Sequence, residues 1–287
     1  MIDEHRLDLH MHSTVSDGTD TPEELLRRVR EANLELFALT DHDAVKGCER
    51  IRAARREGDP RFICGAEFSC KDEEGKYHIL GYGYDPESPS IKSIVEKGHG
   101  LRMKKVTARL SFLEERFGAF FPGEEVEKLL SLDNPGKPHI GNLMVKYGYA
   151  KTKEEAISEY INQMKIRNEY IRPEEAITAI LLGGGIPVLA HPAFGSGSEL
   201  YLGQEMEERL QKLMGYGLLG LECFYSGFTG KIMQEMLELA EKNHLYVTAG
   251  SDYHGKNKPV LLGNTNFEAG QEMPEGMRRF LEDVRME

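Results

Sequence analysis

The sequence predicts an α/β protein built on a parallel sheet, open or closed into a barrel, with an inserted helical region. Three observations carry this. Strand-like and helix-like patterns alternate over residues 6–90 and again over 171–287. Between them, residues 91–170 read as charged helix without strand alternation. Histidines and carboxylates gather at strand ends, where parallel α/β folds place their sites.

The elements follow in order. "RLDLHMH", residues 6–12, alternates as a strand does. "TPEELLRRVREANL" opens a helix with Thr21 as N-cap, Pro22 at the first helical position and Glu24 completing a capping box. "ELFALTDHD" is the second strand, followed by a helix over residues 45–56. "RFICGAEFSC" and "KYHILGYGYD" are strands three and four, joined by the turn "KDEEGK". The domain expectation is therefore a sheet domain of residues 1–90 and 171–287, with 91–170 as a helical insertion broken by "NPGKPHI".

Beyond the insertion, "RPEEAITAILLGGG" reads as a helix with its glycine stop and "IPVLAHP" as strand five. A helix over 205–214 precedes the strand "LLGLECFY", and "GKIMQEMLELAEKNH" precedes "LYVTAGSDYHG". A last short strand, "LLGNTNF", and a C-terminal helix complete the pattern. "GYGLLG", residues 215–220, matches the dinucleotide-binding glycine pattern but lies between a helix and a strand, the reverse of the required order. Gly215 and Gly217 are read instead as a helix end.

Bulk composition narrows the function. No run approaches the roughly 18–20 apolar residues of a membrane span, and "MIDEHRLDLH" lacks the apolar centre of a secretory signal. Cys48, Cys64, Cys70 and Cys223 show no C-x-x-C spacing and read as reduced buried thiols. The expectation is a cytoplasmic protein, monomeric, with no membrane partner. With 36 bases against 48 acids the net charge is −12, which argues against an extended nucleic-acid groove. Such a chain still binds phosphate where bound cations reverse the local field.

The polar residues at the strand ends form one set. Strand one delivers His10 and His12, with Asp17 in the next loop; strand two delivers Asp41, His42 and Asp43; strand three delivers Glu67. His78 stands near the start of strand four, and His191, Glu222, Asp252 and His254 follow later strands. Side chains at i and i+2 of a strand share a face, so His10 converges with His12 if the strand extends through both, and Asp252 and His254 have the same spacing. A single histidine is more often solvated or hydrogen-bonded than a ligand, and His5, His99, His139 and His244 are read that way. Six of the ten histidines in strands or at their ends, interleaved with carboxylates, are not a chance pattern.

Imidazoles and carboxylates without thiolates suit Zn²⁺, Mn²⁺, Fe²⁺ or Mg²⁺. One ion takes about four to six ligands, so nine candidates imply two or three ions. Such a centre stabilises both the attacking and the leaving oxygen of an in-line displacement at phosphorus. The chemistry expected is hydrolysis of a phosphate ester.

Together, "DLHMHSTVSDGTDTPEELL", "ALTDHD", "GAEFS", "HILGYGYD", "VLAHP" and "GSDYHG" resemble the PHP (polymerase and histidinol phosphatase) family, in particular its stand-alone phosphoesterases. The resemblance spans nearly the whole chain and is weakest through 91–170. It implies a distorted (β/α)7 barrel with an inserted helical cap and a trinuclear metal centre. It implies that His10, His12, Glu67 and Asp252 hold one ion, that Glu67 with His78 and His191 hold a second, and that Asp17, His42 and His254 hold a third. His191, Asp252 and His254 are the candidate catalytic residues; the leaving-group acid stays open between His191 and a metal-bound water.

The most similar branch removes the 3′-phosphate of 3′,5′-bisphosphonucleotides, which implies a small phosphorylated substrate, a nucleotide. "KPHI" and a basic cap position imply substrate contacts by Lys137, His139 and Arg102, against the plainer reading of a solvated helical face. Two departures stand out: Ala193 and Phe194 replace a Gly-Arg pair common in the branch, and Phe228 replaces a histidine. Asp41 and Asp43 are read as outer carboxylates that orient imidazoles, Glu222 as an outer carboxylate at the rim against the plainer reading of a satisfied barrel residue, and Tyr77, Tyr82 and Tyr84 as packing. The alternatives are a histidinol-phosphate phosphatase, a 5′-3′ exoribonuclease on short RNA, an amidohydrolase and a metal-binding module without turnover.

Overall fold

The strands are β1 (Leu7–Asp8), β2 (Leu36–Leu39), β3 (Arg61–Lys71), β4 (Lys76–Tyr82), β5 (Ile186–Leu189), β6 (Gly220–Tyr225) and β7 (Tyr246–Gly250), hydrogen-bonded in that order in one sheet. The computed structural model describes residues 6–164, 169–195 and 199–287. The strands of β2, β5 and β6 are buried throughout and carry apolar runs, as strands covered on both faces do. The ends of the sheet meet: Leu9 N–H donates to Ala249 O at 3.0 Å, Asp252 N–H to His10 O at 2.8 Å, and His12 N–H to Tyr253 O at 2.8 Å. These bonds draw the sheet into a distorted barrel.

The expectation of a parallel sheet fails at one strand. β4 is antiparallel to both β3 and β5, whereas the other pairs are parallel. The cause is the short connection after β3, where Asp72 N–H donates to Gly75 O at 3.0 Å and turns the chain straight back. Reversal places the start of β4, and with it His78, opposite Ser69 near the end of β3.

Helices α1 (Pro22–Glu31) and α2 (Lys46–Ala54) follow β1 and β2, and α7 (Pro173–Leu182), α8 (Gly203–Gly215), α9 (Gly230–Lys242) and α10 (Glu275–Asp283) accompany the later strands. The capping box of α1 forms as its sequence requires: Thr21 Oγ1 accepts from Glu24 N–H at 3.2 Å and Glu24 Oε2 from Thr21 N–H at 2.8 Å. Its buried stripe is Leu25, Leu26 and Val29, each contributing about 1.5–3 kcal/mol by burial. α8 ends at Gly215 with Gly217 at φ +100°, so the glycines there do end a helix.

"LLGNTNF" is not a strand. Gly263 has φ +83° and its N–H goes to Asp8 Oδ2 at 2.8 Å, while the Asn266 side chain donates to Tyr225 O at 2.8 Å. Its polar groups are spent on side-chain bonds rather than a ladder. None of the described helices is long and apolar enough to cross a membrane.

The chain divides into two units, residues 1–95 with 171–287, and residues 96–170. The second comprises most of α3 (Pro89–Phe117), α4 (Gly123–Leu130), α5 (Lys137–Lys146), α6 (Lys153–Glu155) and a π-helical segment, Ala156–Tyr160. It has its own core, in which Val106, Leu113, Ile140, Met144, Ala156 and Ile161 are buried.

Candidate metal centre

The segment after β1 is shaped by two buried carboxylates. Asp8 accepts from Ser251 N–H at 2.9 Å, Ser251 Oγ at 2.5 Å and Gly263 N–H at 2.8 Å, tying β1 to the loop after β7. Burial pushes Asp8 up in pKa, opposed by these bonds. Asp41 accepts from Ser13 N–H at 2.8 Å, Ser13 Oγ at 2.7 Å and Ser16 Oγ at 2.7 Å. Ser16 Oγ in turn lies 3.3 Å from His12 Nδ1, so Asp41 orients His12 through a hydroxyl rather than by touching a ring. Asp43 stands at φ +49° and accepts from Ser69 N–H at 3.0 Å, a loop-holding role.

Glu67 lies at the centre of the cluster. Its Oε2 is 3.3 Å from His10 Nε2, 3.1 Å from His12 Nε2 and 3.2 Å from His42 Nδ1. Its Oε1 is 2.8 Å from His78 Nδ1 and 3.1 Å from His191 Nε2. Burial alone would raise the Glu67 pKa, but His78, His42 and His10 outweigh it and hold the carboxyl well below its ordinary range.

The remaining candidates join the same set. Asp252 Oδ1 is 3.4 Å from His12 Nε2, 3.6 Å from His10 Nε2 and 3.3 Å from His254 Nδ1. Asp17 Oδ1 lies 3.3 Å from His254 Nε2, 3.9 Å from His12 Nδ1 and 4.0 Å from His42 Nε2. All nine residues named as ligands from the sequence therefore come together. Two sharings were not anticipated: His12 joins the Asp17, His42, His254 group, and His42 joins Glu67 and His78.

The cluster fits divalent cations. His10 Nε2, His12 Nε2 and Asp17 Oδ1 are buried and lack a hydrogen-bond partner among the described residues, a costly arrangement unless something else satisfies them. Three groups of donors have atoms within 4.8 Å of one another, all imidazole or carboxylate. Burial opposes charge on His12, yet Asp252 and Glu67 push its pKa up to about 9; burial holds His42 down at about 4. Carboxylates able to keep a buried imidazole protonated also favour a metal ion in the proton's place.

Residues 8–172 match the family model for the PHP domain. The chain belongs to the PHP domain family. A 3′,5′-nucleoside bisphosphate phosphatase of Chromobacterium violaceum is 29% identical over 257 residues, 86% of this chain and 87% of that one. A 5′-3′ exoribonuclease of Haemophilus influenzae is 28% identical over 253 residues, 87% of this chain and 90% of its own. A Bifidobacterium adolescentis structure, suggested to be a metal-dependent phosphoesterase, superposes with a TM-score of 0.81 at 28% identity and covers 96% of both chains. The fold, the metal dependence and the class of phosphoric ester hydrolase expected from the sequence are borne out.

Around this PHP centre, Glu222 is the outer carboxylate its strand position suggested. Oε1 lies 2.9 Å from His10 Nδ1 and Oε2 accepts from His191 N–H at 2.7 Å. A Cβ on Gly250 would come within 2.3 Å of His10 Cβ and 2.4 Å of Glu222 Oε1, so this contact needs glycine there. Tyr77, Tyr82 and Tyr84 are buried and pack, Tyr82 donating its hydroxyl to Leu9 O at 2.9 Å. At the departures from the branch pattern, Ala193 is buried, while Phe194 and Phe228 stack edge to face at 5.2 Å and both meet Tyr225, at 6.2 and 5.1 Å. Lys258, which the sequence reading passed over, reaches Asp252. Its only signal was a cation four residues after His254.

In the helical unit, Arg102 and the Gly-Lys-Pro-His turn come together: Arg102 Nη1 lies 3.6 Å from where a Gly136 Cβ would sit. Gly136 N–H donates to His139 Nδ1 at 3.1 Å, and Lys137 Nζ to Asn162 Oδ1 at 2.6 Å. Burial holds the Arg109 guanidinium below its ordinary value, and the like charge of Arg102 adds to this. His99 Nδ1 lies 2.9 Å from Asp133 O, His244 sits in a left-handed turn at φ +54°, and His5 lies outside the described residues.

Proposed function

We propose that the protein hydrolyses the phosphate monoester of a small nucleotide, the 3′-phosphate of a 3′,5′-bisphosphonucleotide, using two or three divalent ions (Mn²⁺, Zn²⁺ or Fe²⁺). The observation that carries this is Glu67, one buried carboxylate with three imidazole nitrogens against one oxygen and two against the other. That is the arrangement a ligand shared between two ions requires. In this reading His10, His12, Glu67 and Asp252 hold one ion, Glu67, His78 and His191 a second, and Asp17, His42 and His254 a third.

Ions held there supply a nucleophilic water at neutral pH and neutralise charge on the phosphoryl oxygens. The chain's own residues prepare the place. Glu222 and the Asp41–Ser16 pair fix the rings of His10 and His12, and Glu67 keeps its charge although buried. His191, Asp252 and His254 stand at the reacting face as the catalytic residues. In the helical unit, Arg102, Lys137 and His139 are the candidate substrate contacts. Four buried free cysteines fit a reducing, cytoplasmic setting.

The test is a turnover panel with Mn²⁺-loaded protein. A 3′,5′-bisphosphonucleotide is expected to exceed short 5′-phosphorylated RNA and histidinol phosphate by at least roughly tenfold in kcat/KM. Faster RNA trimming replaces this reading with an exoribonuclease; no turnover of any phosphate ester leaves a metal-binding module.

A further inference from the structure

Asp252 uses its two oxygens differently. Oδ1 faces His10, His12 and His254 at 3.3–3.6 Å. Oδ2 faces the other way, where it accepts from the Tyr225 hydroxyl at 2.9 Å and from Lys258 Nζ. The same ammonium donates to Tyr225 Oη at 2.9 Å and lies 5.3 Å from the centre of its ring.

The loop that carries Lys258 is tied on its far side. Lys256 N–H donates to Thr19 Oγ1 at 2.9 Å and the Asn257 side chain to Asp17 O at 2.7 Å. Lys258 is therefore presented by a loop anchored to the Asp17 segment, not by a free chain. Tyr225 itself is packed between Phe194 and Phe228, so the wall next to His191 is aromatic and uncharged. An ammonium has three N–H donors. Among the described residues two are used, and the side chain is 32% exposed.

We propose that Lys258 contacts the substrate, donating its third N–H to a non-bridging oxygen of the phosphoryl group under attack, with Tyr225 and Asp252 fixing the ammonium in place. This rests on the phosphoesterase reading. A phosphoryl oxygen bound beside Asp252 Oδ1 meets a cation already held on Oδ2 of the same carboxylate. A donor fixed before the reaction costs no reorganisation as charge develops on that oxygen. Tyr225 is a positioning residue here: it touches Lys258 and Asp252, and its phenol keeps the ammonium from folding back onto the carboxylate alone.

The experiment compares wild type, Lys258→Met, Lys258→Arg and Tyr225→Phe, each Mn²⁺-loaded. It measures kcat and KM, bound metal by elemental analysis, and the affinity for inorganic phosphate by calorimetry. Lys258→Met is expected to keep wild-type metal content while kcat falls on the order of 100-fold, the effect of removing one oxyanion donor, and phosphate affinity falls with it. Lys258→Arg is expected to recover part of both. Metal content lost in step with activity overturns the proposal in favour of a role in holding Asp252, and unchanged kcat with unchanged phosphate affinity overturns it outright. A wild-type protein that turns over no ester refutes the phosphoesterase reading instead, and the phosphate titration then judges Lys258 by itself.

Discussion

Glu222 holds His10 by the side of its ring that faces away from the cluster: Oε1 lies 2.9 Å from Nδ1, while Oε2 takes the backbone N–H of His191 at 2.7 Å. One buried carboxylate thus orients two residues separated by 181 positions in the chain (191 − 10). Glu222→Gln keeps the shape but removes the charge. Affinity for Mn²⁺, measured by calorimetry on chelator-treated protein, is expected to fall about 10–100-fold. Unchanged affinity would mean that the His10 ring is held by its packing alone.

Gly250 is the counterpart of that contact. Gly250→Ala places a methyl against His10 Cβ and Glu222 Oε1, neither of which can retreat from a buried strand end. The expected cost is about 1–3 kcal/mol in urea unfolding, with reduced bound metal. Wild-type stability and metal content together would show that the sheet yields more than its packing suggests.

His12→Ala and Asp252→Ala each remove a donor from the cluster and are expected to abolish phosphoesterase activity. Chelation should do the same, and Mn²⁺ should restore it. The ions should also stabilise the fold by mass action, about 2.7 kcal/mol at a hundredfold excess over Kd. The melting temperature with and without Mn²⁺ reads this directly, and no shift would count against a preformed centre.

Away from the centre, Arg30 in α1 grips Asp59 with two bonds of 2.7 Å. The Arg30 hydrogen bonds hold the Asp59 pKa down at about 2, against about 3.9 in an unfolded chain. The folded pKa is the lower one, so the stabilisation is present above about pH 4 and lost as pH falls towards 2. Asp59→Asn should cost on the order of 1 kcal/mol at pH 7 after allowance for solvent screening, and the difference from wild type should vanish near pH 2. A gap that persists at pH 2 would point to lost hydrogen bonds rather than lost charge.

The ligand types were legible because His10 with His12, and Asp252 with His254, stand close in sequence at predicted strand ends. The strands stop short, β1 at Asp8 and β7 at Gly250, and Asp252 stands at φ +57°. These side chains therefore converge from the loops beyond the strands rather than from one strand face. His78 was legible as a residue but not as a position. It stands at the start of a strand, and only because β4 is antiparallel to both neighbours does that start lie with the other strand ends, a matter of tertiary pairing that a short turn leaves open. The link from Asp41 to His12 runs through Ser16, and no pattern of charges marks a serine as the go-between. "LLGNTNF" misled because its apolar spacing suits a strand, whereas the N–H of Gly263 answers to Asp8. Lys258 carried no motif at all; only the fold brings it to Tyr225.

The backbone seam between residues 9–12 and 249–253 includes His10, His12 and Asp252, whose side chains belong to the cluster. A growing chain can therefore present His10 and His12 early, yet it cannot complete their surroundings until more than 240 further residues have been synthesised (252 − 10 = 242). Loop-closure entropy of that span must be overcome before the centre exists. Metal added during folding would act as a clasp on the last step, and a chain truncated before Asp252 would be left with an unclosed barrel.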